Sequence, residues 1–115
     1  MDMDHSAVVV SISCGNNTQA VSLSKKLVEA NLVACAQLFP IQSIYHWDGA
    51  VQNDQEVMIQ AKTLASKLEA LEELVVEEHD YDVPEIIATP IIWGHSAYLD
   101  WIEANTKENQ ASKPT

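Results

Sequence analysis

The amino-acid sequence predicts an α+β fold in which a four-stranded antiparallel sheet carries two helices, with a short third helix at the end. Three observations carry that expectation. Residues 7–14 (AVVVSISC) are β-branched and then alternate, as a half-buried strand does. Asp48-Gly49 sits between two long extended runs, and both central residues of a type I′ hairpin turn need positive φ. Between the extended runs lie two stretches whose apolar residues recur three and four apart.

The elements follow in order. In the first strand Ile12 and Cys14 share one face, with Ser11 and Ser13 on the other. Gly15-Asn16-Asn17 is a turn, and Thr18 is read as the N-cap of a helix that presents Ala20, Leu23, Leu27 and Ala30. Asn31 tolerates the left-handed conformation that ends many helices. Residues 32–47 and 50–63 are the arms of a long hairpin, with a bulge or bend expected at Pro40, which has no N–H for a ladder. Ser66 and Glu69 match a capping box, and Leu64, Leu68, Leu71 and Val75 make the apolar stripe of a second helix running to about Glu78. Residues 86–92 (IIATPII) are a fourth strand that Pro90 pushes to a sheet edge. Ser96 is read as the cap of the last helix, where Tyr98, Trp101, Ile102 and Asn105 share a face. The order strand, helix, strand, strand, helix, strand is the split arrangement of a ferredoxin-like βαββαβ sandwich, with strands lined up 4-1-3-2.

A chain of 115 residues makes one domain over 1–115, with an ordered core at about 7–105 and polar, disordered termini. Seventeen acidic residues face six lysines and no arginine, a formal charge of −11. This excludes nucleic acid, whose phosphates need Lys and Arg, and disfavours an anionic membrane surface. An acidic N-terminus and the lack of a long apolar run lead to the expectation of a cytoplasmic protein. Cys14 and Cys35 have no CxxC spacing, and on the predicted topology they lie at opposite ends of the sheet, too far apart for a disulfide.

That topology brings His79, Tyr81 and Glu85 to the end of the sheet where Cys14 finishes its strand and Glu56 begins to descend. Thiolate, imidazole and carboxylate together suit copper or zinc better than magnesium or calcium. Each residue also has a plainer reading. Cys14 reads first as a small buried hydrophobe, His79 as a cap favoured by the helix dipole, and Glu56 with Lys62 as an ion pair. Residues 69–85 hold eight acids and no lysine. Glu77 and Glu78 there oppose the helix dipole, so a cation is expected from another subunit, from solvent or from a metal. The hairpin tip, with Tyr45 and Trp47, would be a bare aromatic edge in a monomer and predicts a closed homo-oligomer. No nucleophile elbow, paired-carboxylate motif or HExxH supports a reaction class, so the protein is not expected to be an enzyme.

The stretches LVAC, SIYHWDG, Lys62-Thr63 and HDYDVPE, followed by YLDWI, closely resemble the CutA divalent-cation-tolerance family over about residues 7–103. The resemblance implies a homotrimer of ferredoxin-like subunits, related in architecture to PII signalling proteins, that binds copper or other divalent metals such as zinc. It implies a metal site on His79, with Cys14 as the nearest strand cysteine; in the metal-binding reading of this chain Glu78, Asp80 or Glu85 complete the sphere. Gly15 and Asp80 stand where the family usually has proline. The alternative is a PII-like signalling or scaffold trimer. Its inter-subunit clefts, organised by Tyr81, Glu85, Glu56 and Lys62 with Tyr45 and Trp47 as further cleft or interface residues, would bind a small molecule or a protein partner.

Overall fold

The computed structural model describes residues 6–107. The expected disorder of 1–5 and 108–115 falls outside the described residues. Strand β1 spans Ala7–Cys14, helix α1 Asn17–Glu29, β2 Cys35–Trp47, β3 Ala50–Leu64, α2 Leu68–Glu78, β4 Ile86–Pro90 and α3 Ser96–Ala104. The sheet order is β2-β3-β1-β4 with every pair antiparallel, which is the expected order read from the other edge. The chain is therefore a small α+β sandwich of the expected class.

The β2-β3 hairpin turns at Asp48 (φ 52°) and Gly49 (φ 76°), the two positive values a type I′ turn requires. Pairing then runs without a slip from Trp47↔Ala50 to Cys35↔Lys62, so the bulge expected at Pro40 is absent. Counting the alternation from the turn puts Pro40 opposite Val57 at a position that does not hydrogen-bond to β3. Its N–H would point to the free edge, where none is needed. Proline is tolerated in mid-strand here because β2 is an edge strand. Pro90 likewise ends the opposite edge strand.

One face of the sheet holds the core. Val8, Val10, Ile12 and Cys14 of β1 and Ile59 and Ala61 of β3 pack against Ala20, Leu23 and Leu27 of α1 and Leu71 and Val75 of α2. On the other face α3 covers only one end, where Ile102 meets Leu64, Ala34, Ala7 and Leu99. Helix beginnings depart from expectation. Asn16, not Thr18, caps α1, and its side chain accepts from the Gln19 amide at 2.9 Å. Ser66 lies inside a single 3-10 turn, Ala65–Lys67, and makes no cap, while Ser96 is the first residue of α3 rather than its cap. A cap depends on one residue being extended just before the helix, and serine or threonine at neighbouring positions satisfies the sequence pattern equally well. Asn16→Ala should cost about 1 kcal/mol in urea unfolding, with Thr18→Ala close to neutral. At the other end of α1, Asn31 is left-handed (φ 59°) as expected. Thr106, assigned to the polar tail, is instead buried and donates to the Ile102 carbonyl at 2.9 Å, closing α3.

β1 pairs with β3 only over Val57–Leu64. The remainder of the hairpin, Ile41–Trp47 against Ala50–Glu56, stands clear of the sheet as a two-stranded ribbon and accounts for a longest dimension of 52 Å. Such a ribbon is marginal in water by itself. It exposes Ile44, Trp47 and Val51, and the segment after β4 exposes Ile92 (94%) and Trp93 (84%).

Candidate functional site

Where the ribbon leaves the sheet, the loop between α2 and β4 folds across β1 and β3. The space between them is an open-sided cavity of about 670 Å³. Tyr45, Trp47, Asp54 and Glu56 line it from the hairpin, Ser13 from β1, and Tyr81, Asp82 and Glu85 from the loop. Alternation along β3 aims Asp54 and Glu56 to the same face, and pairing places Tyr45 diagonally across from Asp54. The Tyr45 hydroxyl donates to Asp54 Oδ2, and the Tyr81 hydroxyl donates to Glu56 Oε2 at 2.6 Å. Burial, and then the Glu56 carboxylate, push the Tyr81 phenol well above its ordinary range. The hydrogen bond to Asp54 raises Tyr45 in the same way. Both rings therefore stay neutral donors. Four carboxylates and no cationic side chain line this space.

Tyr81 also packs over Gly15, where an added Cβ would come within 3.2 Å of its hydroxyl.

The residues expected to hold a metal do not form a ligand cluster within the single chain. Among the described residues no three His, Cys, Asp or Glu side chains converge closely enough to hold an ion. His79 caps α2 and is buried, with Nε2 2.7 Å from the Ser13 carbonyl and Nδ1 3.0 Å from the Tyr81 amide. Cys14 is fully buried, and desolvation, followed by the charges of Glu56 and Asp80, pushes its thiol up to about 11. A metal bound there would have to displace that proton, and the described residues of the single chain give His79 and Cys14 no third ligand. Glu78 has a partner already, Lys26 of α1 at 2.9 Å. The same chain thus supplies a cation to Glu78 at this helix end. Asp80 lines a separate cavity with Asn16, Gln19, Lys26 and Glu78, while Glu85 lies in the first.

Of the expected cleft residues, Tyr45, Trp47, Glu56 and Tyr81 do share the cavity, and Lys62 does not. Lys62 is on the same sheet face as Glu56 but six residues along β3, about 20 Å away at 3.3 Å per residue. It bonds to Gln37 instead. Asp54 and Asp82 were not singled out from sequence, although the two-residue spacing of Asp54 and Glu56 was a usable signal. Cys35, at the opposite end of the sheet from Cys14, is also free and lies 3.4 Å from the Tyr98 hydroxyl.

Residues 8–105 match the family model described as CutA1 divalent ion tolerance protein. The chain belongs to this family. The CutA relatives include the divalent-cation tolerance protein CutA of Thermus thermophilus, 42% identical over 99 residues, which cover 85% of this chain and 96% of that one. The chloroplastic protein CutA of Arabidopsis thaliana is 40% identical over 102 residues, which are 88% of this chain. The chain spans 56% of the Arabidopsis protein's own length and 59% of that of a chloroplastic rice relative. Among solved structures, CutA1 from Oryza sativa superposes with a TM-score of 0.87 at 38% identity, covering 94% of this chain and 100% of that one. The periplasmic divalent cation tolerance protein CutA from Archaeoglobus fulgidus gives 0.86 at 31%, covering 88% and 99%. The CutA fold is thus shared from end to end of the described core.

The buried thiol sets a pH dependence. Its proton is held more tightly in the folded chain than in the unfolded one. Its contribution to stability is therefore complete below pH 9 and is lost as pH rises towards 11. Urea midpoints should fall across that window in the wild type, and that part of the fall should be missing in Cys14→Ala.

Proposed function

We propose that this CutA protein works as a homotrimer in the response to divalent cations. In this reading it meets copper, or another divalent metal such as zinc, at the carboxylates of the cavity, and a neighbouring subunit completes the ligand set. One observation carries the reading. The four carboxylates lie at the base of a hairpin that stands clear of its own sheet, so assembly would bring a neighbour to the same place. Carboxylate and phenol oxygens accept divalent first-row ions, with copper(II) favoured over zinc in the usual order. The exposed Ile44, Trp47, Val51, Ile92 and Trp93 are the groups a neighbour would cover. A closed ring of three follows the architecture that the family resemblance implies. A cytoplasmic setting belongs to this proposal too, since relatives bear names that place them in the chloroplast and the periplasm.

The cavity's size favours a second reading. A space of about 670 Å³ walled by Tyr45, Trp47 and Tyr81 is far larger than an ion needs. It suits a PII-like trimer that takes a small molecule or a partner's side chain between subunits. In both readings the protein binds and is not an enzyme.

Calorimetric titration of the full chain with copper(II) and with zinc decides between them. Asp82→Asn combined with Glu85→Gln should weaken metal binding at least tenfold. Unchanged affinity and stoichiometry in that variant would remove the metal from the cavity and leave the second reading.

A further inference from the structure

His79 is the residue to which the family resemblance assigns the metal, and the geometry points to a different task. The Ser13 carbonyl can only accept, so the ring nitrogen 2.7 Å from it, Nε2, carries the proton. The Tyr81 backbone N–H can only donate, so Nδ1, 3.0 Å from it, supplies the lone pair. The two partners demand the same neutral tautomer, and each is a main-chain atom whose place the fold sets.

An Nε2–H bonded to a carbonyl is a common support for a metal-bound imidazole, in which Nδ1 then faces the ion. Here Nδ1 is the decisive atom, and the Tyr81 amide holds it. The ring is buried, with the Tyr81 ring tilted against it at 4.8 Å between centroids. No three metal-binding side chains gather around it among the described residues.

We infer that His79 is a positioning residue and not a metal ligand. As a fixed Nε2–H imidazole it ties the end of α2 to β1 and forms the turn that sets the Tyr81 phenol on Glu56. This reading stands whether or not the cavity takes a metal, because the cavity carboxylates belong to other residues.

The test is long-range ¹H–¹⁵N NMR of the histidine rings in the uniformly labelled full chain at neutral pH, with zinc added in steps to several equivalents. The expected spectrum shows His79 as the Nε2–H tautomer, with both ring nitrogens unmoved at every zinc level. Movement of either His79 nitrogen on stoichiometric zinc, or an Nδ1–H tautomer before zinc, would overturn the assignment. A second variant separates placement from packing. His79→Gln keeps one donor and one acceptor and should retain the wild-type nuclear Overhauser contacts between the Tyr81 ring and Gly15, whereas His79→Leu should lose them. Zinc affinity should be within twofold of wild type in both. Loss of zinc affinity in a folded His79→Gln protein would make His79 a ligand after all.

Discussion

Ile59→Ala is expected to lower the unfolding free energy by about 2 to 5 kcal/mol, the range for deleting a large aliphatic side chain from a core. Ile59 is fully buried in β3, paired with Leu38 of β2 on one side and Ile12 of β1 on the other. Leu27 of α1 and Leu71 of α2 belong to the same cluster. Strands bonded on both flanks cannot close in on the missing side chain, so the cavity term should be near its full size. Urea unfolding followed by circular dichroism, at fixed protein concentration because assembly adds to apparent stability, gives the number. Glu72→Ala, exposed on the outer side of α2, is the control and should change stability by no more than about 0.5 kcal/mol. An Ile59→Ala loss no larger than that of the control would mean that this part of the sheet is not the core.

The second large effect is on assembly. Ile92→Ala with Trp93→Ala should turn the proposed trimer into monomers at micromolar concentration. Both side chains are almost wholly exposed on a single chain, and covering an aliphatic or aromatic side chain is worth about 1.5 to 3 kcal/mol. Losing two per interface removes about 3 to 6 kcal/mol, two to four orders of magnitude in association constant. Light scattering should read three times 12.7 kDa for the wild type and a single chain mass for the double variant. A wild type of single-chain mass would sink the trimer, and an unchanged variant would move the interface elsewhere.

Much of the fold was legible because its signals are local. Strand alternation, the positive-φ pair Asp48-Gly49 and the left-handed Asn31 each depend on a few neighbouring residues. Helix starts were less legible, since Thr18, Ser66 and Ser96 satisfy a cap pattern without having the cap's conformation. The cavity was half visible. Knowing the strand order was enough to bring Tyr81 and Glu56 to one end of the sheet, and their hydroxyl–carboxylate bond joins positions 25 apart in sequence. Lys62, expected in the cleft or as an ion pair with Glu56, lies six residues along the same strand from Glu56 and bonds to Gln37 instead.

The sequence by itself determined the class of fold, the strand order and the family, since periodicity and turn chemistry are written in adjacent residues. Only the tertiary structure decided what His79, Cys14 and Glu78 touch. The partners of His79 are a backbone carbonyl 66 positions away and a nearby amide, and Glu78 is met by a lysine 52 positions away. Burial pushes the Cys14 thiol further above its ordinary range. Main-chain hydrogen bonds, long-range ion pairs and desolvation arise from packing and have no signature in local sequence.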